Sequence, residues 1–143
     1  SEIPAMRTTK TRSLLVRSPR RGLHLITGEV SALVRELGGE EGLCTVFLRH
    51  TSASLLINEN ADPDVQRDLE DFLDRIVPRG DPSYRHTAEG PDDMPSHIKM
   101  ALTQVSISIP IVEGRLALGT WQGIYLWEHR DHPSSREILV TVV

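Results

Sequence analysis

Between residues 86 and 97 the sequence places two histidines among carboxylates: His86, Glu89, Asp92, Asp93 and His97. Asp93 and His97 are four apart, so on a helix they share a face. An imidazole oriented by a carboxylate in that way can do acid–base work. Alternatively, His86, His97 and a carboxylate can hold a divalent metal with coordination positions left open. One of Asp92 and Asp93 is expected to cap the helix that contains Pro95, leaving the other for chemistry.

His50 is a second candidate. In 43–50 the even positions Cys44, Val46, Leu48 and His50 share one strand face, so the imidazole ends an apolar row and meets Thr51, Ser52 and Ser54. A histidine beside a hydroxyl-rich turn could bind a metal or an anion; the plainer alternative is a strand-end histidine bonded to a backbone carbonyl. The segment 116–128 has Leu116, Leu118, Thr120, Gln122, Ile124, Leu126 and Glu128 on one face. Burying Gln122 or Glu128 unpaired costs about 1–3 kcal/mol each or more, so they sit at a sheet rim or meet a partner such as His50 or a ligand. The opposite face carries Trp121, Tyr125 and Trp127, suited to a subunit interface or a second core layer. His129 and His132, with Asp131 between them, fall in a turn bounded by Pro133, where a solvated cluster is expected.

These residues need elements to position them. Residues 8–16 and 23–27 read as strands separated by Pro19 and Gly22. Val30, Leu33, Val34 and Leu37 mark one face of a helix, with Thr27 as its N-cap and Gly38-Gly39 as its end. Two apolar runs of strand length follow, 43–50 and 53–58. Asp62 and Pro63 then open a helix whose stripe is Val65, Leu69, Phe72, Leu73 and Ile76, and Pro78 stops it. Residues 78–97 hold four prolines and two glycines without apolar periodicity, and a loop longer than about 12–15 residues in a compact domain is functional or disordered. A short helix is expected from about Met94 to Thr103, then a strand over 105–111. A hairpin at Glu113-Gly114-Arg115 leads into strands over 116–128 and 137–143. Strands, helices, then strands again point to an α+β class with a largely antiparallel sheet.

The 143 residues fit a single domain spanning 1–143. Hydrophobic residues at 38% and charged residues at 25% exclude wholesale disorder. A formal net charge of −4 does not suit a dedicated nucleic-acid binder. No apolar run approaches the ~20 residues of a membrane span, and the polar, Arg-rich start does not suit a signal peptide. The lone Cys44 can build neither a disulfide framework nor a thiolate zinc site, so a cytosolic, reducing location is expected. Arg7, Lys10, Arg12, Arg17, Arg20 and Arg21 crowd the first 22 residues against one acid, Glu2. They suit an anionic partner or a solvated edge strand equally.

Several ordered stretches together are specific. His50-Thr-Ser-Ala-Ser-Leu, Ile57-Asn-Glu-Asn-Ala-Asp-Pro, Tyr84-Arg-His86, Glu89-Gly-Pro-Asp-Asp-Met-Pro-Ser-His97 and Leu118-Gly-Thr-Trp-Gln-Gly-Ile with Glu128 resemble the YjbQ-like family, also called the secondary thiamine-phosphate synthase family. The resemblance implies strands curled into a barrel-like sandwich with two to three helices, assembled as a homotrimer. It also implies a site lined by His50, His86, His97 and neighbouring polar residues, and a weak ability to make thiamine phosphate.

Two functions follow. In the first, a pyrimidine-methyl diphosphate releases pyrophosphate and the nitrogen of a thiazole phosphate attacks the carbocation-like centre left behind, which needs a divalent ion and donors around the phosphates. Asp93, Glu59 or Glu128 would help hold Mg²⁺, Thr51, Ser52, Ser54 and Arg85 would bind phosphate, and His86 and His97 would orient or protonate. Asn60, Gln122 and Glu128 would contact substrate. Against it, there is no Walker-type loop and no tandem acidic motif clearly built for a diphosphate–Mg²⁺ complex. In the second, His50, His86 and His97 hold a metal such as Zn²⁺ in a metal- and anion-binding module or a metal-dependent hydrolase or lyase.

Overall fold

The computed structural model describes residues 9–143. Glu2 and Arg7 of the basic segment and Thr8, where the first strand was expected to begin, lie outside them. The elements run β1 (Lys10–Ser18), β2 (Gly22–Leu25), α1 (Thr27–Leu37), β3 (Gly42–Leu48), β4 (Ala53–Glu59), α2 (Pro63–Ile76), α3 (Asp93–Leu102), β5 (Ser106–Val112), β6 (Arg115–Leu116), β7 (Gln122–Glu128) and β8 (Ser134–Val142). All strand pairs are antiparallel. They form one sheet in the order β1-β8-β3-β5-β6 and another in the order β2-β7-β4. The class is the expected α+β, a barrel-like sandwich with three helices.

Period-two patterning decides what each sheet buries. Cys44, Val46 and Leu48 of β3, Ile107, Ile109 and Ile111 of β5, and Ile138, Val140 and Val142 of β8 face Leu55 of β4 and Ile124 and Leu126 of β7 in the main core. Val30, Val34 and Leu37, the stripe of α1, close it. The other face of β7 presents Tyr125 and Trp127 to Leu23, Leu73 and Val77, so it forms a second core layer under α2. Trp121 is not part of it and stands exposed. In α2, Pro63 occupies the first turn and the Asp62 carboxylate accepts from the Asp64 N–H at 2.9 Å, as its sequence demands.

Among the boundaries that differ from the sequence reading, three change how the elements are tied together. Thr27 does not cap α1 but begins it, and its hydroxyl accepts from the Ile124 N–H at 2.9 Å, tying the helix to β7. The segment 116–128 is interrupted after Leu116, because the Gln122 side chain accepts from the Gly119 N–H and the Gln122 N–H bonds back to the Gly119 carbonyl. β8 begins at Ser134, which brings Arg136 onto its inward row ahead of Ile138, Val140 and Val142.

That arginine answers the question posed by Glu128. Glu128 is fully buried, and its carboxylate accepts from Arg136 Nε at 2.7 Å, Arg136 Nη2 at 2.5 Å, the Ser18 hydroxyl at 2.5 Å and the Arg130 N–H at 3.1 Å. Glu128 belongs to one sheet and Ser18 and Arg136 to the other, so the network clamps the two sheets together. Burial alone would raise the Glu128 carboxyl pKa, but the bonds from Arg136 and Ser18 hold it below its ordinary value. The expectation that Glu128 contacts substrate is corrected: it is sealed inside and saturated.

Candidate metal centre

The loop between α2 and α3 is ordered by its own polar groups. Asp81 accepts from the Ser83 N–H and hydroxyl, and the Tyr84 hydroxyl donates to the Pro78 carbonyl at 2.8 Å. It delivers His86 and Glu89 to the start of α3, where Asp93 and His97 share a face as their spacing requires. One ligand atom from each of His86, Glu89, Asp93 and His97 lies within 4.8 Å of every other. His86 Nε2 lies 2.5 Å and His97 Nε2 3.0 Å from the same oxygen, Asp93 Oδ2, and Glu89 Oε2 stands 3.6 Å from His86 Nε2.

The surroundings fix how these groups point. His97 Nδ1 lies 2.6 Å from the Thr51 carbonyl oxygen. A carbonyl can only accept, so Nδ1 carries a proton and the ring turns Nε2 toward the Asp93 carboxylate. Two lone pairs cannot face each other at that distance without a positive centre between them, either a proton or a metal ion. Asp93 is itself held from behind: Arg130 Nη1 donates to Asp93 Oδ1, Arg130 Nε to Asp92 Oδ2 at 2.9 Å and Arg130 Nη2 to the Glu89 carbonyl at 2.9 Å. Burial opposes ionisation of Asp93, yet hydrogen bonding with His86, Glu89 and His97 outweighs it and holds the carboxyl at about 2. An imidazole pinned through its far nitrogen and a carboxylate braced by a second residue are how metal ligands are oriented. The donor set of two nitrogens and two carboxylates fits a divalent ion.

The other expected site residues are distributed differently. His50 is not in this group: its Nε2 accepts from the Glu137 N–H at 2.7 Å, and burial together with Arg136 holds its pKa below the ordinary value. Its partner is a backbone N–H rather than a carbonyl. Thr51 is exposed and serves His97 through its carbonyl, whereas the Ser52 carbonyl is taken by the His129 N–H and Arg136. Ser54 is fully buried with its hydroxyl 2.9 Å from His129 Nε2, so it is not available to a phosphate. Arg85 is exposed beside His86. Asn60 and Gln122 lie at the far end of the β4–β7 pair, where Asn60 Nδ2 donates to the Gln122 carbonyl at 3.4 Å. Asp92 stands at the N-cap position of α3, but its side chain takes Arg130 and the Asp131 N–H instead of capping.

The sequence reading of the site does not single out Glu89 and omits Arg130. Glu89 was only one of several loop carboxylates, and Arg130 lay in the turn read as solvated. His129 in that turn is buried, not solvated.

An antiparallel two-sheet α+β domain carrying a histidine–carboxylate cluster at the head of its third helix is therefore the class that fold and site define. The family model described as UPF0047 protein YjbQ-like matches residues 12–143, and the chain belongs to that family. It is 54% identical to the UPF0047 protein sll1880 of Synechocystis over 129 residues, which is 90% of this chain and 88% of that one. It is 47% identical to the UPF0047 protein YjbQ of Salmonella typhimurium, over 92% of this chain and 95% of that one. Among solved structures, the hypothetical protein APE1520 of Aeropyrum pernix superposes with a TM-score of 0.85 at 32% identity, covering 94% of this chain and 98% of its own. A YjbQ/UPF0047 family protein of Clostridium acetobutylicum does so with a TM-score of 0.79 at 39% identity, covering 94% and 99%.

Proposed function

We propose that His86, Glu89, Asp93 and His97 hold a divalent transition-metal ion, and that the protein is a metal-dependent hydrolase or lyase for a small anionic molecule. The observation that carries this reading is the convergence of two imidazole Nε2 atoms on one oxygen of a buried carboxylate. Nitrogen and carboxylate donors without thiolate suit Zn²⁺, Mn²⁺ or Fe²⁺. Such an ion, when bound, polarises a substrate oxygen or lowers the pKa of a bound water to about 7. Arg130 keeps the Asp93 carboxylate aimed, and the Thr51 carbonyl keeps His97 Nε2 directed inward. The test is Zn²⁺ titration of the chelator-stripped full chain. About one ion per chain is expected for the wild type, with loss of binding in a folded His97→Ala variant. A wild type that binds no divalent ion overturns the reading.

A second reading keeps the same centre and changes the substrate. Exposed Thr51 and Arg85, each next to a member of the cluster, favour phosphate groups there, as weak thiamine-phosphate coupling requires. Stabilisation by pyrophosphate that requires Mg²⁺ supports this transferase chemistry, whereas stabilisation by Zn²⁺ alone supports the first reading. We further propose that the chain assembles as a homotrimer, supported by exposed Leu15 and Phe47 on the outer face of the five-stranded sheet.

A further inference from the structure

The loop that delivers His86 also builds a cleft of about 410 Å³ on the side of that imidazole, walled by Gly80, Pro82, Tyr84, Gly90, Pro91 and Met94. The volume is within the range of small-molecule sites, roughly 300–1,000 Å³. Its composition is selective. Two proline rings, a phenol ring and a thioether offer flat or polarisable apolar surface, and the Tyr84 hydroxyl is turned away to the Pro78 carbonyl. Among the described residues no lysine or arginine lines it, and the one carboxylate, Asp81, is occupied by the Ser83 N–H and hydroxyl. A phosphate or other anionic end therefore meets no lysine or arginine there, and Thr87 is the one side-chain hydroxyl left to it among the described residues. His86 is the hinge between the two places, since it lines the cleft and contributes to the metal-ligating group.

We infer that the substrate is a small organic oxyanion with a flat, apolar ring, its ligating oxygens at the metal centre and its ring between Pro82, Tyr84, Pro91 and Met94. This inference rests on the metal reading and adds the substrate's shape and polarity. The cleft is a recognition site, so the ring confers affinity while the reacting end sits at the ion. Substrates lacking the ring lose the burial and keep the ligation.

Hydroxamates separate the two parts, because acetohydroxamate and benzohydroxamate share one chelating group and differ in the ring. Calorimetric titration of the Zn²⁺-loaded full chain is expected to show benzohydroxamate binding at least about tenfold tighter. Met94→Gln is expected to abolish that preference while leaving Zn²⁺ stoichiometry and acetohydroxamate affinity unchanged. Pro82→Asp, at an exposed loop position, is the second variant with the same expected outcome. Equal affinities in a wild type that has bound Zn²⁺ overturn the ring site alone. So does a preference that survives both variants. A wild type that takes up no Zn²⁺ overturns the metal reading, and this inference with it.

Discussion

Two histidines in this chain show how surroundings decide what an imidazole does. His97 is half-buried, with one nitrogen pinned by the Thr51 carbonyl and the other turned to Asp93. His129 is 2% exposed, its Nε2 meets the Ser54 hydroxyl, and its Nδ1 has no hydrogen-bond partner among the described residues. Burial, reinforced by the nearby cations Lys99, Arg136 and Arg21, drives the His129 pKa down to about 3 from 6.5. The folded protein therefore keeps this ring neutral in a range where the unfolded chain protonates it. Stability contributed by the neutral ring is full above pH 6.5 and is lost as pH falls toward 3, at up to about 1.4 kcal/mol per unit. The Asp93 carboxyl, held at about 2, loses its contribution only as pH falls below 3.8. Urea midpoints between pH 7 and 4.5 should therefore fall less steeply for His129→Leu than for wild type. Parallel curves would show that His129 does not set the acid limb.

At the scale of elements, the Glu128–Arg136–Ser18 network joins strands from both sheets. A buried carboxylate stripped of its partner costs about 3–5 kcal/mol, whereas replacing both charges with apolar side chains of similar size is far milder. Arg136→Met alone should thus destabilise by about that amount, and Glu128→Leu/Arg136→Met should recover most of it in denaturant unfolding. Additive single and double effects would exclude coupling across the sheets. This network also shows what was legible beforehand. The polar intrusion at Glu128 was readable from strand alternation, because a charge on an apolar row demands a partner. The partner was hidden by a boundary: a strand taken to start at 137 leaves Arg136 outside the inward row to which Ile138, Val140 and Val142 assign it. The Asp93/His97 pair was legible because helical spacing alone makes them neighbours. Arg130 and Glu89 were not, since their approach to Asp93 depends on how a turn and a long loop fold back, which no local periodicity encodes.

For the whole molecule, the five-stranded sheet has one face in the core and one left uncovered by any described helix. Pairing registers place Leu15, Leu43, Phe47, Pro110, Val112 and Leu139 on that outer face among Thr11, Ser13, Thr45, Ser106, Ser108 and Thr141. The same registers put Arg17, Arg115 and Glu137 there; Arg49 pairs with the Glu137 carboxylate, which also accepts from the Ser13 hydroxyl. Leu15 is 69% and Phe47 43% exposed. Exposed large apolar side chains on an uncovered sheet face, without a lysine among them, are what an interface between copies needs and what an edge exposed to solvent avoids. The face contains no member of the metal-ligating group, so assembly and ion binding are separable. Light scattering should give the mass of a trimer for the wild type and of a monomer for Phe47→Lys/Leu15→Lys, while the variant still takes up Zn²⁺. A variant that stays trimeric would move the interface elsewhere. A variant that becomes monomeric and loses the ion would mean that a second copy helps to build the centre.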